Sequence, residues 1–171
     1  MKLIYNVSNT MKDFELRQDP VIARVNEFTE QAAEKLSTDI SAAHNTGQDI
    51  IPIVIDSYGG EVYSLMSMIG SINSSRLPVA TIVVGKAMSC GAILTSFGSK
   101  GHRYVDKDAT IMIHDVSSFA FGKVEDLKAD AREAERLNKK VYEMMADNCD
   151  KPNDYFLNII HDKGHANWFL T

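Results

Sequence analysis

Ser89 and His114 are two side chains whose types suit nucleophilic catalysis. A serine hydroxyl attacks a carbonyl when a histidine accepts its proton, and N–H donors must then stabilise the oxyanion that develops on the substrate. Backbone N–H groups at Gly60, the second residue of a glycine pair, and at Cys90, directly after Ser89, suit that purpose. The four residues predict acyl-transfer chemistry without a metal or an organic cofactor.

Ser89 also has a second interpretation, which the local sequence leaves open. It lies between an apolar, β-branched run and an apolar helix start, where a serine commonly caps the unpaired N–H groups of the first turn. The segment A-M-S-C-G is not a strict G-x-S-x-G nucleophile motif, because Ala87 replaces the first glycine. In this interpretation His114 is an ordinary core histidine.

Repeated strand–helix units are predicted to bring these residues together. The first predicted elements are strands at residues 20–25, 50–55 and 79–84 and helices at residues 30–43 and 61–74. This order predicts right-handed crossovers and an α/β fold with a mostly parallel sheet flanked by helices. Pro52 indicates a sheet edge or a bulge within its strand. The glycine pair, Ser89 and His114 all fall at strand ends, where open α/β sheets collect functional residues.

The second half of the chain begins with two short strands and continues with helices. The predicted elements are strands at residues 103–105 and 110–113 and helices at residues 124–148 and 152–162. The first of these helices is amphipathic and long, so we expect it to protrude or to pack on a partner. Residues 168–170 form an apolar patch. The segment H-D-K-G-H before it is no convincing zinc motif, because Gly164 interrupts the helix.

Length, charge and cysteine usage narrow the class of protein. The 171 residues predict a single domain over residues 1–171, in which residues 1–19 form an N-terminal segment without an assigned element. A net charge of −5 argues against nucleic-acid binding. We find no apolar run of membrane-spanning length and no signal-peptide pattern, so we predict no membrane association. The two cysteines, Cys90 and Cys149, fit a reducing cytoplasm.

Three stretches resemble the Clp protease proteolytic subunit (ClpP) family. They are D-S-Y-G-G at 56–60, G-K-A-M-S-C-G-A at 85–92 and M-I-H-D at 112–115. The family has N-S-P-G-G, G-x-A-x-S-M-G-A and M-I-H-Q-P there, at the same separations. Residues 122–133 also resemble the start of the family's long handle helix, which predicts a handle region at about 115–148.

The resemblance implies a crotonase-like fold and a serine peptidase that cleaves polypeptides. It implies that Ser89 is the nucleophile, that His114 is the general base, and that Gly60 and Cys90 donate to the oxyanion. It further implies a homo-oligomer of heptameric rings, two of which stack through their handle helices as a tetradecamer around a chamber. A hexameric AAA+ ATPase unfoldase is the partner that the family suggests.

The third member of the catalytic triad is where this sequence departs from the family. The family places an aspartate before an x-F-[LM]-[ST] segment, and here Asn167 precedes W-F-L-T. Asn167 can accept the imidazole N–H through its amide oxygen, or Asp162 can reach His114 instead. A third alternative is a weakly active or inactive ring subunit that modulates its partners. A crotonase-fold enzyme acting on acyl-CoA is a further hypothesis.

Overall fold

The computed structural model describes residues 19–117 and 121–170. Its elements are β1 (Ala23–Val25), α1 (Glu30–Ala43), β2 (Ile51–Ser57), α2 (Val62–Asn73), β3 (Val79–Met88), α3 (Cys90–Thr95), β4 (Arg103–Val105), β5 (Thr110–Ile113), α4 (Val124–Asn148), α5 (Tyr155–Asp162) and β6 (Trp168–Leu170). The predicted N-terminal segment lies outside the described residues except for Asp19, and part of the predicted handle region, residues 118–120, lies outside them as well.

One mixed sheet organises the described part of the chain. Its strand order is β1-β2-β3-β5-β6, and every pairing is parallel except that of β5 with β6. The long strand β3 pairs with β4 along its first half and with β5 along its second half. The predicted α/β fold with a mostly parallel sheet flanked by helices is confirmed.

Helix α1 forms at its predicted position because it has a capped N-terminus and one apolar face. Thr29 caps its N-terminus, where the hydroxyl oxygen accepts a hydrogen bond from the backbone N–H of Ala32 at 3.2 Å. The side chains three and four residues apart on one face are buried: Ala33, Leu36, Ile40 and Ala43. The capped start and this apolar stripe fix the helix against the sheet.

The two faces of the sheet differ in how far they are covered. Ile53 and Val83 point to the face on which the core is built, and both are fully buried. On the opposite face, the register aligns Arg24, Val54, Ile82 and Tyr104 across four strands. None of these four is buried, and Tyr104 is 49% exposed. Much of this second face is therefore open to solvent within one chain.

Helix α4 contacts the core through its C-terminal half only. Its buried residues are Leu137, Val141, Tyr142, Met145 and Ala146. Every residue from Val124 to Arg136 is exposed or only half-buried. The first half of the helix therefore extends away from the core, as its amphipathic pattern predicts. No helix in the described part of the chain is long and apolar enough to cross a membrane.

The structure corrects several details of the predicted elements. Strand β1 begins at Ala23, later than predicted from Pro20, and β3 extends to Met88, beyond its predicted end at Val84. Residues 168–170 are a strand, β6, instead of an isolated apolar patch. Helix α5 begins at Tyr155, later than predicted from Pro152. The expected edge or bulge at Pro52 is wrong, because β2 lies between two strands and its register shift falls between Ile55 and Ser57.

Pro52 is tolerated because its backbone nitrogen, which carries no hydrogen, points towards β1 and not towards β3. The N–H of the preceding residue, Ile51, donates to Pro78 on the β3 side at 2.9 Å, so the next residue along the strand faces the other way. Pairing with β1 starts only at Ile53, opposite Ala23. No ladder hydrogen bond is therefore lost at the proline.

Candidate active site

Ser89 occupies a tight turn between a strand and a helix. Strand β3 ends at Met88 and α3 begins at Cys90, which leaves Ser89 alone with φ 54° and ψ −120°. Its N–H donates to the carbonyl of Met112 at 2.8 Å, which extends the pairing of β3 with β5 by one bond. A positive φ is unfavourable for a residue with a Cβ, so the surrounding contacts must hold it in place.

The hydroxyl of Ser89 is not used as a helix cap. The residue stands at the N-cap position of α3, but its side chain makes no capping hydrogen bond. The backbone carbonyl instead accepts from the N–H of Ala92 at 3.0 Å. The capping interpretation therefore describes the position of Ser89 in the chain and not the role of its side chain.

The glycine pair packs directly against this turn. Gly59 has φ 106°, and a Cβ built on it would lie 2.8 Å from the Cβ of Ser89 and 3.3 Å from its Oγ. Gly60 has φ 152°, and a Cβ there would lie 2.6 Å from the carbonyl oxygen of Phe28. Ser57 steadies the pair, since its Oγ accepts from the N–H of Gly59 at 3.0 Å. Both positions require glycine for conformation and for space.

Two backbone N–H groups near Ser89 are candidates for binding a substrate oxygen. Cys90 is the first residue of α3, where a backbone N–H has no acceptor within the helix. Among the described residues the Gly60 N–H has no acceptor either, because it is Glu61 that donates to Phe28, at 2.9 Å. The Cys90 thiol donates to the carbonyl of Gly60 at 3.3 Å and so links the two residues.

The Cys90 thiol is not a competing nucleophile at neutral pH. Its side chain is buried, and burial raises the pKa of the thiol to about 11 in spite of its hydrogen bond to Gly60. A thiol with this pKa stays protonated, and the thiolate is the reactive form.

His114 is the first residue after β5, on the strand that neighbours the Ser89 turn. It lies two residues beyond Met112, whose carbonyl accepts the hydrogen bond from Ser89. Its own carbonyl accepts from the hydroxyl of Tyr142 at 2.5 Å, which ties the residue to α4. Burial raises the pKa of Tyr142, so its hydroxyl remains a donor. No hydrogen bond joins the His114 imidazole to Ser89 or to Asn167, all of which the structure describes.

The pairing of β5 with β6 ends one residue short of His114 and Asn167. The antiparallel register sets Met112 against Phe169 and Ile113 against Trp168, and its extension by one residue would set His114 against Asn167. Asp162 lies at the end of α5, with its side chain 82% exposed beside His161. The register therefore favours Asn167 over Asp162 as the neighbour of His114.

A cavity of about 350 Å³ lies between α2 and α4. Its lining includes Val62 two residues after Gly60, and Val116 and Ser117 shortly after His114. Leu137 adds apolar surface from α4. Neither this cavity nor a larger one of about 540 Å³ between α1 and α2 is lined by a predicted site residue, but only the smaller one is lined by residues that follow both Gly60 and His114 closely, so it is the better candidate for binding a substrate.

Several supporting residues escaped the sequence analysis. Phe28 meets Gly60 in an isolated bridge, and Ser57 supports the glycine pair from the end of β2. Tyr142 could have been suspected, because a tyrosine among the apolar positions of a helix must find a partner for its hydroxyl. The carboxylate of Asp115 forms a hydrogen bond with the imidazole of His165, and no pattern in the sequence predicts that contact.

Comparison with known proteins gives a match to the Clp protease family model over residues 6–163. The chain belongs to the Clp protease family. The predicted resemblance and the crotonase-like α/β fold are thereby confirmed, and the family indicates a serine peptidase. Members of the Clp protease family typically form oligomeric rings. The match includes Gly60, Ser89 and His114 and ends before Asn167.

Proposed function

We propose that this Clp protease family member is a serine endopeptidase with Ser89 as its nucleophile. One observation carries the proposal: Ser89 stands in a left-handed turn between strand and helix, its hydroxyl makes no capping bond, and Gly59 packs against it. Turns of this kind expose a nucleophile while keeping backbone N–H groups close to it.

In the proposed reaction His114 is the general base. It accepts the proton of the Ser89 hydroxyl as the oxygen attacks the carbonyl carbon of a peptide bond. The N–H groups of Gly60 and Cys90 stabilise the resulting oxyanion. The imidazolium then gives its proton to the leaving amine, an acyl-enzyme remains, and water attacks this ester by the same route to release the acid. These steps need no cofactor and no metal.

Asn167 is proposed to orient the imidazole of His114. Its amide oxygen can accept the N–H of the ring and hold the tautomer that presents an acceptor nitrogen to Ser89. An amide does not supply the negative charge with which a carboxylate stabilises the imidazolium. We therefore expect slower turnover than an aspartate at this position would give.

The proposed substrates are unfolded polypeptides and peptides. The cavity between α2 and α4 has a mixed lining, in which Val62, Val116 and Leu137 supply apolar surface and Asp130 and Glu133 supply carboxylates, and the apolar part suits a range of side chains. Selectivity is then proposed to come from restricted access to a chamber in the assembled oligomer.

The open face of the sheet supports the proposed assembly. Val54, Ile82 and Tyr104 form an apolar band there that one chain leaves uncovered. We infer a homo-oligomer of heptameric rings stacked through α4 as a tetradecamer, working in the cytoplasm with a hexameric AAA+ unfoldase. Sedimentation velocity should show a large particle, and Tyr104→Glu should reduce its size. A monomer under all conditions would refute the assembly.

A fluorophosphonate probe tests the proposed chemistry. We expect labelling of the wild type at Ser89, located by mass spectrometry of the peptides, and no labelling of Ser89→Ala. Ser71→Ala is the matched control, since Ser71 is a serine on α2 whose hydroxyl bonds only within its own helix. Absence of labelling in both the wild type and Asn167→Asp would refute a nucleophilic Ser89.

A non-catalytic ring subunit is the second candidate function. It is favoured by the neutral Asn167 and by the absence of a hydrogen bond from His114 to Ser89 among the residues described. Such a subunit would modulate active partners without cleaving peptides. A non-catalytic subunit predicts normal ring formation without probe labelling, whereas the endopeptidase predicts ring formation together with labelling of Ser89.

A further inference from the structure

The side chains of Asp115 and His165 are in hydrogen-bond contact close in sequence to the proposed catalytic residues. The Nδ1 of His165 lies 2.5 Å from Oδ2 of Asp115. Asp115 directly follows His114, and His165 comes two residues before Asn167. The contact therefore joins the two chain segments that carry the proposed base and the residue proposed to orient it.

The other oxygen of Asp115 is held by α4. The side-chain N–H₂ of Asn138 donates to Oδ1 of Asp115 at 2.8 Å, and its amide oxygen accepts from the N–H of Val116 at 2.9 Å. Tyr142, one turn further along the same helix face, donates to the carbonyl of His114. Three consecutive residues after β5 are thus fixed to one helix, which makes Asp115 a rigid point of attachment.

The segment around His165 is held from the other side by the end of α5. The N–H of His165 donates to Ile160 at 2.9 Å, and that of Gly164 donates to His161 at 2.8 Å. These two bonds form a Schellman motif, in which Gly164 has φ 63°. His165 itself has φ 61°, and its ring lies edge-on to that of His161 on α5, with 5.6 Å between the ring centroids.

Strand β6 needs such support because it is short. It has three residues and, within residues 19–117 and 121–170, pairs on one side only, with β5, at the edge of the sheet. Few ladder bonds hold its register, and a slip by one residue would turn its side chains to the opposite face. Such a slip would also move Asn167 away from His114.

We propose that Asp115 and His165 are positioning residues that fix the register of β6 against β5 and thereby keep Asn167 opposite His114. The inference rests on the proposed function for its catalytic consequence, but the structural effect on β6 can be measured without activity. Both side chains are partly exposed, 33% for Asp115 and 60% for His165, so their replacement need not disrupt the core.

Amide hydrogen exchange tests the structural part. Asp115→Ala and His165→Asn should each speed exchange across residues 166–170 by about tenfold; asparagine tolerates the left-handed backbone but lacks the imidazole. Asp150→Asn is the matched control, because it removes an exposed ion pair with Lys100 that also spans 50 residues, and asparagine tolerates the left-handed backbone of Asp150 at φ 54°. Unchanged exchange in both site variants would overturn the proposal.

Peptide hydrolysis tests the catalytic part. Asp115→Ala should lower kcat by about tenfold with little change in KM, because it disturbs positioning and not substrate binding. Asp115→Asn keeps an oxygen for Asn138 and an N–H₂ donor for His165, so it should recover most of the rate. In an Asn167→Ala background, Asp115→Ala should have no further effect. A full additional loss there would show that Asp115 acts elsewhere and would overturn the proposal.

The two experiments separate failure of this inference from failure of the proposed function. If the wild type neither hydrolyses peptides nor reacts with the fluorophosphonate, the endopeptidase proposal fails. The exchange measurement still decides whether Asp115 and His165 fix β6. If the wild type is active and Asp115→Ala changes neither exchange nor kcat, only the positioning proposal fails.

Discussion

Gly59→Ala is the most direct test of how the glycine pair shapes the turn at Ser89. The substitution adds a single methyl group at a position with φ 106°. That group would lie 2.8 Å from the Cβ of Ser89 and 3.0 Å from the carbonyl oxygen of Met88. The backbone atoms around Ser89 must move to accommodate it, since neither contact is with the flexible end of a long side chain.

The expected loss of stability has two parts. Holding a residue with a Cβ at this φ costs about 1 to 3 kcal/mol. Overpacking against Ser89 and Met88 costs about 1 to 3 kcal/mol more. Taking about 4 kcal/mol in all, we expect Tm to fall by roughly 8 to 16 °C in a chain of this length. A displacement of Ser89 by about 1 Å should also slow its reactions by about 10²-fold.

Equilibrium unfolding in urea and the rate of fluorophosphonate labelling measure these two effects. Gly70→Ala is the matched control, because Gly70 lies within α2 with nothing within 4 Å of an added Cβ. It should raise stability by about 0.5 to 1 kcal/mol and leave the labelling rate unchanged. Protein concentration must be equal throughout, because assembly contributes to apparent stability. If Gly59→Ala matches the wild type in both measurements, the proposed packing of the turn is wrong.

Three further predictions concern the proposed triad and two polar contacts of α4. Asn167→Asp should raise kcat for peptide hydrolysis at least about tenfold, because a carboxylate stabilises the imidazolium of His114. Tyr142→Phe should lower the free energy of unfolding in urea by about 1 to 2 kcal/mol, because it leaves the partly buried His114 carbonyl without its donor. Arg136 lowers the pKa of Glu133 from 4.5 to about 2, so the stabilisation from Glu133 is present above about pH 4.5 and is lost towards pH 2. The Tm difference between wild type and Glu133→Gln should therefore shrink over that range.

Matched variants give these three predictions their controls. Asn158→Asp adds the same charge on α5, at an amide that bonds only within its helix, and should leave kcat unchanged. Tyr104→Phe removes an exposed hydroxyl with a weak 3.4 Å contact and should change stability little. Glu125→Gln removes an exposed carboxylate at the start of α4. Equal effects of a control and its test variant would contradict the corresponding argument.

The elements that sequence predicts well are those whose signals are local. Helix α4 begins and ends where its amphipathic pattern predicts, and β4 and β5 have their predicted bounds. Thr29 identifies the start of α1 for the same reason, since a cap and an apolar stripe lie within one stretch of chain. The glycine pair and the serine turn were also visible, because backbone strain restricts which residues can occupy them.

The features that sequence did not predict depend on pairing between distant segments. Strand β6 shows only an apolar patch in the sequence, and its extended conformation is defined by its pairing with β5. Pro52 predicts a sheet edge or a bulge from the sequence alone, yet the proline is tolerated in a central strand because of where β1 begins. The contact between Asp115 and His165 spans 50 residues and has no periodic signal.

The role proposed for Asn167 depends both on the sequence pattern of the family and on the pairing of β5 with β6. A sequence pattern can show that an asparagine stands where the family has an aspartate, but it cannot show whether that residue reaches the histidine. The family match ends at residue 163, so the argument for Asn167 depends on the register of β6. The register in turn depends on a three-residue strand and on the contact of Asp115 with His165. The activity proposed for Ser89 is therefore sensitive to residues that lie outside the motifs by which the family is identified.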